Sequence, residues 1–489
     1  MSRRTLDRRR AGVLLHPASL PGGVDNGDLG PDAHRFIDWL ADAGFSVWQM
    51  LPVGPTHRDR SPYQSFSVHA GNPQLISLDR VQKQGWLTEA ERERTDATET
   101  ARVHALRSAR KRFEQHAEPG EKTAFVAFVN ETAHWLEDYA LFQALRAEQG
   151  ERPWWEWPAP LRTRDAQALQ AARQRLAEAI GQQRFEQYLF FSQWWALRDH
   201  ARSRGVKLFG DLPIFVAHDS AEVWARPDLF MLDEEGHARF VAGVPPDYFA
   251  ADGQRWGNPL YNWDRMTAEG FTWWEQRLAT QLRLFDWVRV DHFRGFQACW
   301  QIPASSATAR EGRWVEVPGE VLFEWLHARF ESLPLIAEDL GHITPEVHTL
   351  RRRFGLPGMC ILQFAFDGDS SNPYLPHNHR SNRVVYTGTH DNDTTVGWYA
   401  ALPEETRQRL LAYLGHPQET MPWPLIRAAL RSVARLAVVP LQDLLALDRE
   451  HRMNTPGTSE GNWNWRFEWS RLEALDTKWL AGLLQSYGR

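Results

Sequence analysis

At 489 residues the chain is long enough for one large barrel with insertions or for two to three ordinary domains, and 43% hydrophobic and 24% charged residues suit a globular enzyme. A net charge of −6 argues against a nucleic-acid partner, which would want a basic patch, and no apolar stretch is long enough to span a bilayer. Cys299 and Cys360 are the only cysteines, which excludes a disulfide framework and a thiolate metal site and fits a reducing cytoplasm.

The chain starts with Ser2-Arg3-Arg4, which faintly resembles a twin-arginine signal. The apolar run behind it, Val13-Leu14-Leu15, stops at His16-Pro17, so neither export nor membrane insertion is expected. In order, eight apolar runs have strand character: Gly12–Leu15, Ser46–Val53, Val206–Phe215, Trp287–Asp291, Leu335–Leu340, Cys360–Phe366, Val384–Thr387 and Ala437–Leu441. Amphipathic helical pattern separates most of them. Strands alternating with helices imply parallel pairing, and eight such units close into a (β/α)8 TIM barrel, here a single catalytic domain over 1–489.

Two intervals exceed the barrel's needs. Residues 84–204 are rich in Ala, Glu, Arg and Gln. Trp135, Tyr139 and Phe142 at i, i+4, i+7, and Tyr188, Phe191 and Trp195 at i, i+3, i+7, describe apolar helix faces. This predicts a helical insertion between strands 2 and 3, its aromatic faces serving packing. Residues 221–285 are expected to form a loop-rich insertion between strands 3 and 4, bringing recognition loops to the rim. The 24 Trp residues hint at carbohydrate, because indole faces pack against the C–H faces of sugar rings.

The fourth run turns abruptly from apolar to charged at Arg289-Val290-Asp291-His292. A carboxylate at the C-terminal end of a barrel strand sits where such folds keep their chemistry. Arg289, two positions earlier, projects from the same face and can hold Asp291 ionised. The fifth run ends in Glu338-Asp339, and the seventh delivers Thr389-His390-Asp391-Asn392-Asp393. In one barrel these ends converge, so Asp291, Glu338 and Asp391 share a pocket. That suits retaining glycoside cleavage, in which two carboxyl groups about 5–5.5 Å apart act as nucleophile and acid/base. Singly, each block has a plainer explanation: a strand-end ion pair, a helix cap at Glu338, an Asx turn at 389–393. A divalent-metal site using His218, His292 and His390 is the sharper rival, and no His-x-His or His-x-x-x-His spacing beside the carboxylates supports it.

Four blocks stand in the order of retaining α-glucan-active barrels: Gly210–Ser220 (GDLPIFVAHDS), Arg289–Gly295 (RVDHFRG), Ala337–Gly341 (AEDLG) and Thr387–Thr394 (TGTHDNDT). With Ser61–Pro73 (SPYQSFSVHAGNP), Trp256–Tyr261 (WGNPLY), Asn454–Gly457 (NTPG) and Gly461-Asn462-Trp463, they resemble the 4-α-glucanotransferases, or amylomaltases, of glycoside hydrolase family 77 from about Gly12 to Arg466. The resemblance implies Asp291 as nucleophile, Glu338 as general acid/base, and Asp391 as a transition-state stabiliser binding sugar hydroxyls. It implies Arg289 and His390 orienting nucleophile and donor sugar, Asp211 supporting Arg289, and Tyr63 beside the donor sugar. Tyr248 and Phe249 would belong to a mobile aromatic loop over the acceptor subsites, and Asn462 and Trp463 to a second loop near the cleft. Trp256 could add to the apolar acceptor surface. No cofactor and no metal are implied. The expected partners are malto-oligosaccharides, glucose and starch- or glycogen-derived glucans, handled by a monomer or weak homodimer. The sequence departs from the family pattern at Gly23–Asn26, at Gln297 and Cys299 where Glu and Tyr are usual, and at Cys360 where a basic residue is common.

The implied reaction cleaves an α-1,4 bond, holds the glycosyl unit on Asp291, and passes it to the 4-hydroxyl of another glucan or of glucose. An α-amylase-type hydrolase shares the first step, and a catalytically silent glucan-binding protein is the alternative from another class.

Overall fold

The computed structural model describes residues 5–23, 26–93, 99–246, 251–458 and 460–489. Its strands in chain order are β1 (Arg10–Leu14), β2 (Val47–Gln49), β3 (Lys207–Pro213), β4 (Phe240–Val244), β5 (Gln254–Pro259), β6 (Trp287–Asp291), β7 (Ala298–Pro303), β8 (Arg313–Glu316), β9 (Leu335–Ala337), β10 (Gly358–Ile361), β11 (Arg383–Tyr386) and β12 (Leu436–Pro440). Eight of them lie side by side in the order β10-β11-β12-β1-β2-β3-β6-β9, every pairing parallel. Ala337 N–H donates to Pro357 O at 2.8 Å across the remaining seam between β9 and β10. The result is a (β/α)8 barrel, and each of the eight apolar runs contributes one of its strands.

The period of two along these strands decides what fills the barrel. Leu14, Val47, Phe209, Trp287, Ile336, Met359, Ile361, Val384, Tyr386, Leu436 and Val438 form one buried cluster drawn from all eight strands. Counting on by two from Phe209 gives Asp211, and from Trp287 gives Arg289 and then Asp291. From Ile336 it gives Glu338. The polar residues therefore follow the apolar ones on the inward face, towards the C-terminal ends. β2, β3, β9 and β10 are shorter than the apolar runs that announce them. β9 stops at Ala337 because the Asp339 carboxylate accepts Met359 N–H at 2.8 Å and ion-pairs with Arg351 and Arg383. The sixth run leaves the sheet after Ile361 and coils into a 3-10 turn at Leu362–Phe364.

Between β2 and β3 run the long helices Glu99–His116, Pro119–Glu148 and Ala177–Ser203. Pro119 occupies the first turn of its helix, and Glu118 and Glu121 form a reciprocal capping box around that start. Trp135, Tyr139, Phe142 and Phe191 are buried where these helices meet, as their spacing predicts.

Interval 221–285 is less irregular than expected. It holds helices Ala221–Ala225, Trp263–Ala268 and Thr272–Leu284, and also β4 and β5. These two strands join β7 and β8 in an antiparallel sheet of order β5-β4-β7-β8. The sequence pattern does not announce this sheet, because β4 pairs with the next strand, β5, in a bulged register and with β7 only beyond the barrel strand β6. Among the described residues no helix is long and apolar enough to cross a membrane.

Candidate active site

The register between β3 and β6 sets Asp211 directly beside Arg289, and Pro213 beside Asp291. Arg289 is thereby clamped between two carboxylates, with Nη1 on Asp211 and Nη2 on Asp291 Oδ1 at 2.6 Å. Burial alone would lower the pKa of the guanidinium. The charges of Asp211 and Asp291 overcome it and hold Arg289 well above its ordinary value, so it stays cationic. Asp211 is itself buried, which raises its carboxyl against the pull of Arg289.

Glu338 follows β9 by one residue. Its Oε2 accepts the backbone N–H of His292, the residue after Asp291, at 2.7 Å, and its Oε1 accepts Leu340 N–H at 2.8 Å. The helix beyond it starts only at Pro345, so Glu338 does not cap it. Burial, reinforced by the Asp291 charge, pushes the Glu338 carboxyl up to about 7 against the opposing effect of Arg289 and the two N–H donors. Around neutrality this acid can both hold and release a proton. His292 stands at φ 50°, a left-handed conformation that costs a non-glycine residue on the order of 1–3 kcal/mol. That turn leaves its N–H pointing at Glu338.

Asp391 comes from the loop after β11. The side chain of Asn392 accepts from the N–H and hydroxyl of Thr389 at 2.9 Å, and Thr394 caps the helix Thr395–Ala401. The block is thus a self-stabilised turn and also delivers Asp391 to the site. His390 Nε2 lies 3.3 Å from Asp391 Oδ2 and 2.8 Å from the Tyr63 hydroxyl, which donates in turn to Asp211 at 2.7 Å. Tyr63 stacks on His390, their ring centroids 5.4 Å apart. One polar chain therefore joins Asp391, His390, Tyr63, Asp211, Arg289 and Asp291. Trp463, at φ 63°, tilts against both Tyr63 and His390 with centroids about 6 Å away.

Trp256, on β5, sets its ring edge-on to His292 at 4.8 Å. Asn462 does not reach the carboxylates. Its oxygen accepts Thr455 N–H and its amide donates to Thr458 O, which ties together the loop that carries Trp463. Tyr248 and Phe249 lie outside the described residues.

The three histidines weighed as metal ligands are spread apart. His218 stacks on Trp155 and bonds Gly236 O, the His292 ring packs against Trp256, and of the three rings His390 is the one bonded within the carboxylate network. Among the described residues no three His, Cys, Asp or Glu side chains are grouped so as to hold a metal ion. Cys299 and Cys360 are buried within β7 and β10.

Three contributors were given no role by the sequence. Asn454, within the NTPG block, donates to Asp391 Oδ1 at 2.6 Å and Arg452 to Asp391 O at 3.0 Å, from a segment some 60 residues away. Asp443 is buried beyond β12 and binds the Thr387 hydroxyl, Thr395 N–H and the Thr395 hydroxyl, pinning both ends of the loop that holds Asp391. A signal for it did exist, since it too follows the end of a barrel strand.

A closed parallel barrel whose strand ends gather acids around a buried arginine defines an α/β-barrel enzyme with an acid–base centre at its C-terminal face. Residues 15–472 match the model of the 4-alpha-glucanotransferases, glycoside hydrolase family 77, and the chain belongs to that family. It is 52% identical over 476 residues to a 4-alpha-glucanotransferase of Thermus thermophilus, covering 94% of each chain. It is 46% identical over 498 residues to one of Synechocystis, covering 99% of each. Among solved structures, an amylomaltase from Streptococcus agalactiae in complex with acarbose superposes with a TM-score of 0.96 at 35% identity, covering 99% of this chain and all of that one.

Proposed function

We propose that the protein transfers a segment of a 1,4-α-D-glucan to the 4-hydroxyl of glucose or of another 1,4-α-glucan by a retaining double displacement. Asp291 attacks the anomeric carbon while Glu338 gives its proton to the departing glycosidic oxygen. The glycosyl unit is then held as an ester on Asp291. Glu338, now a carboxylate, takes the proton of the incoming 4-hydroxyl, whose oxygen displaces Asp291 and restores the starting state. Arg289 keeps Asp291 ionised and aimed. Asp391 binds sugar hydroxyls as positive charge develops on the ring, with His390 and Tyr63 beside the donor sugar. Trp256 and Trp463 offer apolar surfaces for sugar rings, and the family resemblance assigns Tyr248 and Phe249 to the acceptor side. Such surfaces favour a glucan acceptor over water.

One observation carries this reading in a chain of this family. Glu338 is a partly buried acid held up to about 7, and it is hydrogen-bonded to the residue that follows Asp291. The proposed substrates are malto-oligosaccharides, glucose and starch- or glycogen-derived glucans. Two free, buried cysteines fit a cytoplasmic site of action. The exposed large apolar side chains, such as Val126, Val321 and Val433, are on separate elements, which fits a monomer or weak homodimer. The chain is taken as one catalytic unit, with 84–204 and 221–285 as insertions on the barrel.

Maltotriose tests the proposal. Incubation is expected to give glucose and a ladder of longer chains with little net gain in reducing ends. Maltose and glucose with rising reducing ends would mean a hydrolase, and no products would mean a binding protein.

A further inference from the structure

Past the end of β6, three hydrogen bonds join the segment that carries Asp291 to the segment that carries Glu338. Phe293 N–H donates to Glu338 O at 3.1 Å, His292 N–H to Glu338 Oε2 at 2.7 Å, and Arg294 Nη1 to His342 O at 2.7 Å. The first two hold Glu338 itself. The third reaches four residues further on, past a reversal that Gly341 makes at φ 79°. Inside that reversal Leu340 N–H donates to Glu338 Oε1 at 2.8 Å, so the carboxyl answers to the position of the turn behind it. Arg294 is the side chain that ties down the far end of the turn.

A long side chain can hold a turn only if its own rotamers are locked. Arg294 is buried, and its guanidinium carbon lies over the indole of Trp314, 3.6 Å from the ring centroid. Trp314, on β8, is backed by Trp300 of β7 with centroids 5.2 Å apart, and the Trp300 N–H is fixed on Ala309 O at 2.9 Å. The antiparallel sheet thus supplies the surface that immobilises Arg294, and Arg294 hands that rigidity to the turn behind the acid. Direct charge is a separate matter. The ionisable groups that act on Glu338 or feel it are Asp291, Arg289 and Tyr374, whereas the carboxylate felt by Arg294 is Glu346.

We propose that Arg294 is a positioning residue for the proton transfer: seated on Trp314, it fixes the reversal behind Glu338 and so sets where the acid's oxygens stand relative to the bond being broken. The proposal deepens the double-displacement reading above and rests on it. A glycosidic oxygen departs as Glu338 gives it a proton. Fluoride departs unprotonated, with the C–F electron pair, as the ester on Asp291 forms. Misplacing the acid therefore penalises an oligosaccharide donor and spares a glycosyl fluoride.

The test compares wild type, Arg294→Lys, Trp314→Ala and Trp314→Phe on maltotriose and on α-maltotriosyl fluoride, the latter read as first-turnover fluoride release, which precedes any need for Glu338 as base. Lysine keeps the charge but lacks the planar fork that rests on indole and reaches His342 O together. Arg294→Lys is expected to lower kcat on maltotriose by about 10- to 100-fold, with KM and fluoride release each changed by less than about twofold. The alkaline decline of kcat/KM should move to lower pH, because a loosened turn admits water to a carboxyl held up chiefly by burial. Trp314→Ala should show the same pattern more weakly, and Trp314→Phe, which keeps a ring face, should restore most of the loss. Equal losses on both donors would overturn the proposal, as would an unchanged kcat and pH profile on maltotriose. If Arg294→Lys fails to fold, Trp314→Ala carries the same test. Glu338→Gln separates this inference from the reading beneath it. If Glu338→Gln spares fluoride release and the Arg294 and Trp314 variants do not, only the positioning role falls; if Glu338→Gln loses both donors alike, the acid assignment itself falls.

Discussion

The two sides of the acid cluster are built by different means. On the β6–β9 side, Asp291 ends a strand and Glu338 follows one; both are fixed by ladder hydrogen bonds, Asp291 also by a buried arginine and Glu338 by two backbone N–H groups. Glu338 N–H donates to Val290 O at 3.0 Å, and Phe293 N–H returns to Glu338 O at 3.1 Å. On the β11 side, Asp391 lies on a loop, its side chain 47% exposed against 29% for Asp291, and is held by Asn454 from another loop. The groups proposed to make and break bonds thus stand on the rigid scaffold. The group proposed to grip sugar hydroxyls stands where the backbone can adjust to a polymer. Covalent chemistry tolerates little misplacement, whereas hydroxyl recognition can be completed as substrate arrives.

The most severe way to break this contrast is at Asp291. Asp291→Asn keeps the shape and a partner for Arg289 but removes the nucleophile. A loss of roughly 10⁴-fold or more in kcat is expected, with glucan binding largely retained. Transfer assays paired with a binding titration check it, and wild-type rates would refute the assignment.

Glu338 comes next. Removal of a general acid costs about 10²–10⁴-fold, so Glu338→Gln should fall in that range. In the wild type kcat/KM should decline as the pH rises through about 7, because the acid must arrive protonated. Linkage gives stability the same sign. The folded-state value lies above the ordinary 4.5, so the stability carried by that proton is full below 4.5 and lost as the pH rises through about 7. Glu338→Gln should therefore melt at or above the wild-type temperature at pH 8. A lower melting point there would show that the ionised carboxylate is better accommodated than its burial implies.

The same contrast explains what the sequence made legible. Apolar runs with period two exposed all eight barrel strands, and the charged residues at their ends pointed to Asp291, Glu338 and Asp391, because strand position alone decides where such side chains go. Short antiparallel strands such as β4 and β5 stayed hidden, since they pair with each other in a bulged register and β4 meets its other partner, β7, only beyond the barrel strand β6. The NTPG block marks the segment of Asn454 but not its contact with Asp391, which joins two loops and leaves no periodic trace. Asn462 lies in the loop of Trp463, where its side chain braces that loop. Loop-borne side chains answer to loop geometry, which spacing does not encode.

The mildest prediction tests the softer side directly. Asn454→Ala removes the donor to Asp391 Oδ1 but leaves Arg452 on the backbone carbonyl of Asp391 and His390 beside its other oxygen. A hydrogen bond to a charged group contributes about 1.5–3 kcal/mol when buried, and the exposure of Asp391 lowers that figure, so a fall in kcat/KM of about tenfold is expected. The melting temperature should hardly move, because Asn454 is half-buried in a surface loop and supports no core contact. The pH at which activity declines should also stay put, since Glu338 is governed by burial and by Asp291. If Asn454→Ala instead displaced that pH or abolished turnover, the two sides of the site would be one rigid unit, and the division between bond-making scaffold and adjustable grip would fail.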